Sequence, residues 1–269
     1  MFRFALRGTL EYLESGELSA LDFLTHAFCT RHGGVSRAPY DGLNVGDLAG
    51  DREEDLLRNQ NLVKDAFAIP DGRLILMRQP HGDRIHVIDE DGPLPEGLPE
   101  CDGLITDRPG VALGIRTADC VPLFFVDRTR RVIGAAHAGW RGTALSIAAR
   151  MVATLTERFS SLPEDILAVI GPAIGPCCYE IDAPVMAAFS AMPAAGLFSR
   201  PCLQKDRWMV DLALATRLQI REAGVPSENI FSAGLCTACR QDLFFSHRAA
   251  GGRTGRQISL IMLRDGGMH

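Results

Sequence analysis

Three apolar runs follow one another between residues 111 and 137: VALGI from Val111, VPLFFV from Val121 and VIGAAH from Val132. Each is too short for a typical helix and is bounded by turn-forming or charged residues, so each reads as a buried strand. Runs of the same kind recur as RLILM (73–77), RIHVID (84–89), ILAVIG (166–171), NIFSAG (229–234) and QISLIML (257–263). THAFCTRHGGVS, from Thr25, reads as a strand entering a glycine turn. The strands come in clusters rather than in steady alternation with helices. That order predicts an α+β fold with mixed β-sheets and helices packed outside, not a doubly wound sheet.

Helical spacing is confined to a few places. Asp51-Arg52-Glu53-Glu54 resembles a capping box with Asp51 as the cap, followed by Leu56, Val63 and Phe67 on one face. A second helix is predicted from Thr143 to Phe159, and two more near 183–191 and 208–223. The stretch from 85 to 100 is rich in proline, glycine and acids and reads as a surface loop. No linker long enough to divide the chain is visible, so residues 1–269 are read as a single domain.

The hydrophobic fraction of 46% supplies a core for a chain of 269 residues. With 28 Lys+Arg against 33 Asp+Glu the net charge is −5, which argues against gripping nucleic acid by charge. No apolar run approaches the roughly 20 residues needed to span a bilayer. Glu11, Glu14 and Glu17 stand where a signal peptide needs an apolar segment. The expectation is a cytoplasmic protein with no membrane partner. Its eight cysteines then read as reduced thiols. Cys177-Cys178 is expected to be buried. Cys236-Thr237-Ala238-Cys239 is a C-x-x-C without a second pair at zinc-ribbon spacing and without a thioredoxin-like context.

Three motifs carry a good metal ligand at a strand end or in a glycine turn: QPHGD with His81, TADC with Cys120 and HAGWRG with His137. Their separations exclude a local finger but suit ligands gathered from separate strand ends, as in catalytic zinc sites. Taken singly, each also fits a hydrogen-bonding loop histidine or a small buried thiol. HAGWRGT adds a strand end, two glycines and an expected helix start near Thr143. Arg141 beside free helix N–H groups suits phosphate or carboxylate, unless Trp140 merely packs and Arg141 is solvated. Arg31, in TRHGGVS, is a second arginine next to backbone able to cradle an anion. His247, in FFSHR, can line a pocket.

The motifs TRHGGVS, PYDGLNVG, QPHGD, CDGLIT, GIRTADCVPL, GAAHAGWRGT, GPAIGPCCYEI and FFSHRAAGGRTGRQISLI occur in this order across nearly the whole chain. Together they resemble the YfiH-type family of purine nucleoside phosphorylases, known under an older name as laccase-domain or multicopper polyphenol oxidases. Pro80 stands where the family has an aliphatic residue, and His247 where it often has tyrosine. The resemblance implies one zinc held by His81, Cys120 and His137, and phosphorolysis of adenosine, inosine, guanosine and methylthioadenosine. It also implies deamination of adenosine to inosine. Arg31, Asn44, Arg141 and His247 are then expected substrate-binding residues, with Arg31 and Arg141 also serving catalysis. Asp119, beside Cys120, is the candidate general acid–base. Purine nucleosides and phosphate are the implied partners.

Other readings stay open at this level. Copper outranks zinc in affinity for such a donor set, so copper-dependent oxidation of phenols is one alternative. A true multicopper oxidase needs more histidine than the 7 present. Cys120 can instead act as nucleophile with His137 as base, or the metal can hydrolyse an amide, for example in peptidoglycan precursors. A non-enzymatic, zinc-stabilised binding protein requires a fourth protein ligand.

Overall fold

The computed structural model describes residues 1–264 apart from 47–49, 90, 191 and 193. In chain order the strands and helices are β1 (Phe2–Arg7), β2 (Leu10–Ser15), α1 (Gly16–Ser19), β3 (Leu24–Cys29), α2 (Glu53–Ala66), β4 (Leu74–Ile75), β5 (Ile85–Ile88), β6 (Gly103–Thr106), β7 (Ala112–Thr117), β8 (Val121–Asp127) and β9 (Val132–Ala138). There follow α3 (Trp140–Ala144), α4 (Ile147–Phe159), β10 (Ile166–Ile170), β11 (Glu180–Asp182), α5 (Ala183–Phe189), α6 (Ala195–Phe198), β12 (Ser199–Pro201), β13 (Arg207–Val210), α7 (Leu212–Glu222), β14 (Ile230–Ser232) and β15 (Gln257–Leu263).

Two six-stranded sheets form the body, in the orders β1-β2-β3-β15-β7-β4 and β14-β10-β8-β9-β6-β5. Most neighbours are antiparallel, while β4–β7, β5–β6 and β10–β14 are parallel, so both sheets are mixed. A small third sheet, β11-β13-β12, stands apart.

The alternation of side chains along β8 explains how its whole length is buried. Phe124 and Val126 point into a core shared with Phe28, Leu113 and Ile261 of the first sheet. Leu123 and Phe125 point the other way, onto Ile147, Met151 and Leu155 of α4. The Phe28 and Phe124 rings stack across the sheets with centroids 4.5 Å apart. On the far side of the first sheet, Val63 and Phe67 of the α2 segment pack against Leu10, Leu260 and Met262. The layers therefore run helix, sheet, sheet, helix. Strands covered on both faces carry continuous apolar runs. This is the expected α+β class with helices outside.

Four local expectations are corrected. Asp51 does not cap α2: its carboxylate accepts from Asn44 Nδ2 at 2.9 Å and from the Arg52 N–H at 2.8 Å. The stretch from 85 to 100 is not all loop, because Ile85–Ile88 pairs with β6. The helix expected over 143–159 is broken. The Thr143 carbonyl is taken by the Ser146 N–H at 2.9 Å and by Gln219 Nε2 at 2.6 Å. Ser146 turns left-handed, with φ 62°, before α4 restarts the helix. Residues 207–210 form β13, and only the remainder of the stretch near 208–223 is helical.

Candidate metal centre and cavity

Strand register assembles the site. In the β8–β9 pair Val121 faces Ala138 and Pro122 faces His137, so Cys120, one residue before β8, lies beside the end of β9. In the β6–β9 pair Gly103 faces Ala136, which brings Asp102 alongside His137. In the parallel β5–β6 pair Ile85 faces Gly103, which sets the QPHGD turn next to Asp102. The ligand atoms of His81, Cys120 and His137 consequently lie within 4.8 Å of one another. The two imidazole rings meet edge to face, with centroids 4.8 Å apart.

Close approach explains the glycines of HAGWRG. A Cβ on Gly139 would stand 3.1 Å from Cys120 Sγ and 3.1 Å from His81 Cδ2. One on Gly142 would meet the Gly82 carbonyl oxygen at 2.8 Å, and that backbone carries the His81 turn. His81 itself has φ 65° and Asp119 φ 96°, both left-handed conformations that strain ordinary residues.

Asp102 organises the centre, and its role was not legible in the sequence beyond its place in CDGLIT. It is fully buried. Its carboxylate accepts from His137 Nδ1 at 2.8 Å, from the His81 N–H at 3.2 Å and from the Gly82 N–H at 2.6 Å. Holding the Nδ1 proton leaves His137 Nε2 with its lone pair free, the usual support for a metal-binding histidine. Burial opposes charge on Cys120, yet the His137 charge and hydrogen bonds from both histidines outweigh it and bring the thiol down to about 6. Burial likewise opposes charge on His137, but Cys120 and Asp102 raise it to about 9. The two shifts are mutual: each group favours the charged form of the other. One thiolate and two imidazoles, one of them braced by a carboxylate, suit a borderline-soft divalent metal. His81, Cys120 and His137 thus form a candidate metal site.

The centre opens into a cavity of about 640 Å³. Trp140, Tyr179, Ile174 and Val185 give it an apolar side, and Arg141, His247 and Arg248 are among its polar groups. Burial, aided by the Cys120 and Asp119 charges, raises the Tyr179 hydroxyl above its ordinary value, so it remains a donor. The Arg141 guanidinium lies over the Trp140 ring, 4.2 Å from its centroid, with no carboxylate partner among the described residues. Arg141 does not precede a helix starting at Thr143: it is the second residue of the five-residue α3, whose Thr143 N–H is already bonded to the Gly139 carbonyl. Arg141 lines the cavity from within this short helix.

Asp119 lines the cavity, but both its oxygens are engaged. Oδ1 accepts from Thr237 Oγ1 at 2.7 Å and Oδ2 from the Arg248 N–H at 2.7 Å. Two other expected pocket residues lie outside the cavity lining. Arg31 pairs with Asp41 at 2.9 Å, donates to the Gln241 carbonyl at 3.0 Å and covers the Phe245 ring. Asn44 is fully buried, bonding Asp51, the Gly46 N–H and the Arg256 N–H. Both spend their polar groups fastening loops. Among the described residues, no helix is long and apolar enough to cross a membrane.

Residues 25–264 match the family model described as multi-copper polyphenol oxidoreductase laccase. The chain is 38% identical to the purine nucleoside phosphorylase YlmD of Geobacillus stearothermophilus over 243 residues, 88% of this chain and 89% of that protein. The crystal structure of that species' YlmD superposes with a TM-score of 0.90 at 36% identity, covering 97% of this chain and 99% of that one. The crystal structure of the Bacillus licheniformis hypothetical protein YfiH gives 0.89 at 37% identity, with the same coverage. Sequence and fold agree along nearly the whole length, and the chain belongs to the YfiH-type family whose model carries the polyphenol oxidoreductase laccase description.

Proposed function

We propose that this chain is a zinc-dependent purine nucleoside phosphorylase acting on adenosine, inosine, guanosine and methylthioadenosine, with a secondary adenosine deaminase activity. One observation carries the reading: His81, Cys120 and His137 converge on a cavity that also holds Arg141, without a carboxylate partner among the described residues, and an aromatic wall. The names of the relatives support the same class. We further propose that the three ligands and the cavity act within one domain spanning the chain.

A zinc ion held by these residues supplies Lewis acidity and positive charge at the cavity floor. The remaining work falls to the chain. Arg141 binds phosphate as a planar fork and holds it beside the ribose. Trp140 and Tyr179 offer rings to the purine, and the protonated Tyr179 hydroxyl can donate to it. His247 and Arg248 complete the polar side. Asp119 acts as a positioning residue: by accepting from Thr237 and Arg248 it fixes the turn that presents Cys120. In phosphorolysis the glycosidic bond breaks, phosphate bonds to the anomeric carbon, and the base departs with a proton.

Product analysis tests the proposal. With adenosine and phosphate the zinc-loaded protein yields adenine and ribose 1-phosphate; without phosphate, slow inosine formation remains. Both reactions fail in His81→Ala. Zinc-loaded protein that leaves every purine nucleoside untouched overturns the reading.

A second reading has one observation in its favour. Asp102, His137 and Cys120 form a carboxylate–imidazole–thiolate series, the arrangement of a cysteine hydrolase. It requires that chelator-treated protein retain activity and that alkylation of Cys120 abolish it. The phosphorylase reading requires that the chelator alone abolish activity.

A further inference from the structure

Two cysteine pairs that show no relation in sequence meet in space. The sulfurs of Cys177, Cys178, Cys236 and Cys239 all lie within 4.8 Å of one another. Cys239 Sγ is 3.5 Å from Cys177 Sγ and 3.4 Å from Cys178 Sγ, and all four thiols are free. This corrects the expectation that Cys177-Cys178 is buried, since Cys177 is exposed and Cys178 half-buried. The C-x-x-C has no partner pair at zinc-ribbon spacing in the sequence, but the fold brings the adjacent Cys177 and Cys178 to it.

We propose that these four cysteines bind a second zinc ion as a closed tetrathiolate site, distinct from the cavity centre. Four sulfurs around zinc at about 2.3 Å stand about 3.8 Å apart, so the cluster needs shifts of no more than about an ångström. The frame holding them is already built. Ala173 and Cys236 form a parallel bridge, and the Thr237 N–H bonds the Ala173 carbonyl at 3.0 Å. The Cys178 and Tyr179 N–H groups both turn back to the Gly175 carbonyl at 3.0 Å. The Gly175 N–H donates to Cys236 Sγ at 3.2 Å, a bond that stabilises a thiolate. A Cβ at Gly175 would press on Cys236 Cβ at 3.3 Å and touch Cys177 Sγ and Cys236 Sγ at ordinary contact distances of 3.4 and 3.6 Å. Four soft donors with no fifth group select a soft or borderline metal and leave no position for substrate.

The position gives this zinc a purpose. Thr237, inside the C-x-x-C, holds Asp119 beside Cys120, and Tyr179, directly after Cys178, lines the cavity. Zinc would clamp together the two loops forming that wall. The inference stands on this cluster alone and does not depend on the phosphorylase reading.

The test separates the two centres by metal content after purification with a phosphine reductant and no chelator. Cys120→Ala, which lacks the first centre, keeps about one zinc per chain. Its cobalt-substituted form shows the intense visible bands and sulfur-to-metal charge transfer of a tetrathiolate. The Cys236→Ser/Cys239→Ser double variant loses this second ion while retaining metal at His81, Cys120 and His137. In the unmutated protein, peptide mapping finds the four cysteines protected from iodoacetamide until a chelator is added. A folded Cys120→Ala protein without zinc overturns the proposal. So does immediate alkylation of all four cysteines in the unmutated protein, or their recovery as disulfides.

Discussion

Asp102 touches none of the cavity, yet three groups of the metal centre hang from its carboxylate. Removing it leaves the His137 ring unbraced and two N–H groups of the His81 turn without an acceptor. Carboxylates behind metal-binding histidines commonly contribute 10- to 100-fold in affinity. Asp102→Ala should weaken zinc binding by about that factor, measured by competition with a chromophoric chelator, and Asp102→Asn should fall between. Arg141 should behave in the opposite way. Its guanidinium lies over Trp140 and it is not among the three candidate ligands, so Arg141→Ala should leave zinc content unchanged. The half-saturating phosphate concentration should rise by the loss of a charge-assisted contact, about 1.5–3 kcal/mol or roughly 10- to 150-fold. Unchanged phosphate saturation would make Arg141 a packing residue. The contrast with Arg31 and Asn44 is instructive. All of these side chains sit in glycine-rich motifs, and nothing in residue type separates an arginine that meets solvent in a cavity from one that fastens a loop. The difference arises from Asp41, Gln241 and Arg256, whose positions only the fold determines.

At the scale of elements, β3 carries a histidine on a strand that is buried along its whole length. His26 is buried, faces Ile261 of β15, and accepts the Ser15 N–H on Nε2 at 2.9 Å. Burial first, and then the Arg264 charge, depress it to about 4. The unfolded chain takes up this proton near its ordinary value of about 6.5, before the folded one does. Stability is therefore fully present above about pH 6.5 and declines as pH falls towards 4, by ~3 kcal/mol from this group alone. His26→Gln, which keeps an acceptor for Ser15, should flatten urea-unfolding stability between pH 6.5 and 4. An unaltered acid slope would place the titration elsewhere. Elements with a continuous apolar run or helical spacing were legible in the sequence: β3, β7 to β10, β15, α2 and α5, whereas the six-residue β1 and β2 were not. The three-residue strands β11 and β12 were not, because three residues cannot display an alternation. The break between α3 and α4 was hidden too, since it depends on Gln219 reaching in from α7. Ligand-bearing turns stood out because glycine and proline frame them. The meeting of Cys177-Cys178 with Cys236 and Cys239 did not, because loop closure over such a distance leaves no local signature.

For the whole molecule, the candidate metal centre ties the ends of β6, β8 and β9 in the second sheet to the turn that leads into β5. A ligand that binds only the folded state stabilises it in proportion to the logarithm of one plus the ratio of its free concentration to its dissociation constant. At a hundredfold excess over the dissociation constant this amounts to about 2.7 kcal/mol. Chelation should therefore lower the midpoint of thermal unfolding by about 5–10 °C, reversibly on adding zinc back. An unchanged Tm after verified metal loss would show that the centre contributes nothing to the fold.

The position of β15 between β3 and β7 has a consequence for how the chain is made. Both partners are synthesised long before it, and their facing edges stay open until residues 257–263 have emerged from the ribosome. Until then the first sheet exists as two unsealed halves, each presenting a hydrophobic edge to any other nascent chain. The first sheet is therefore completed only when β15 enters that gap, and its open edges are most vulnerable just before.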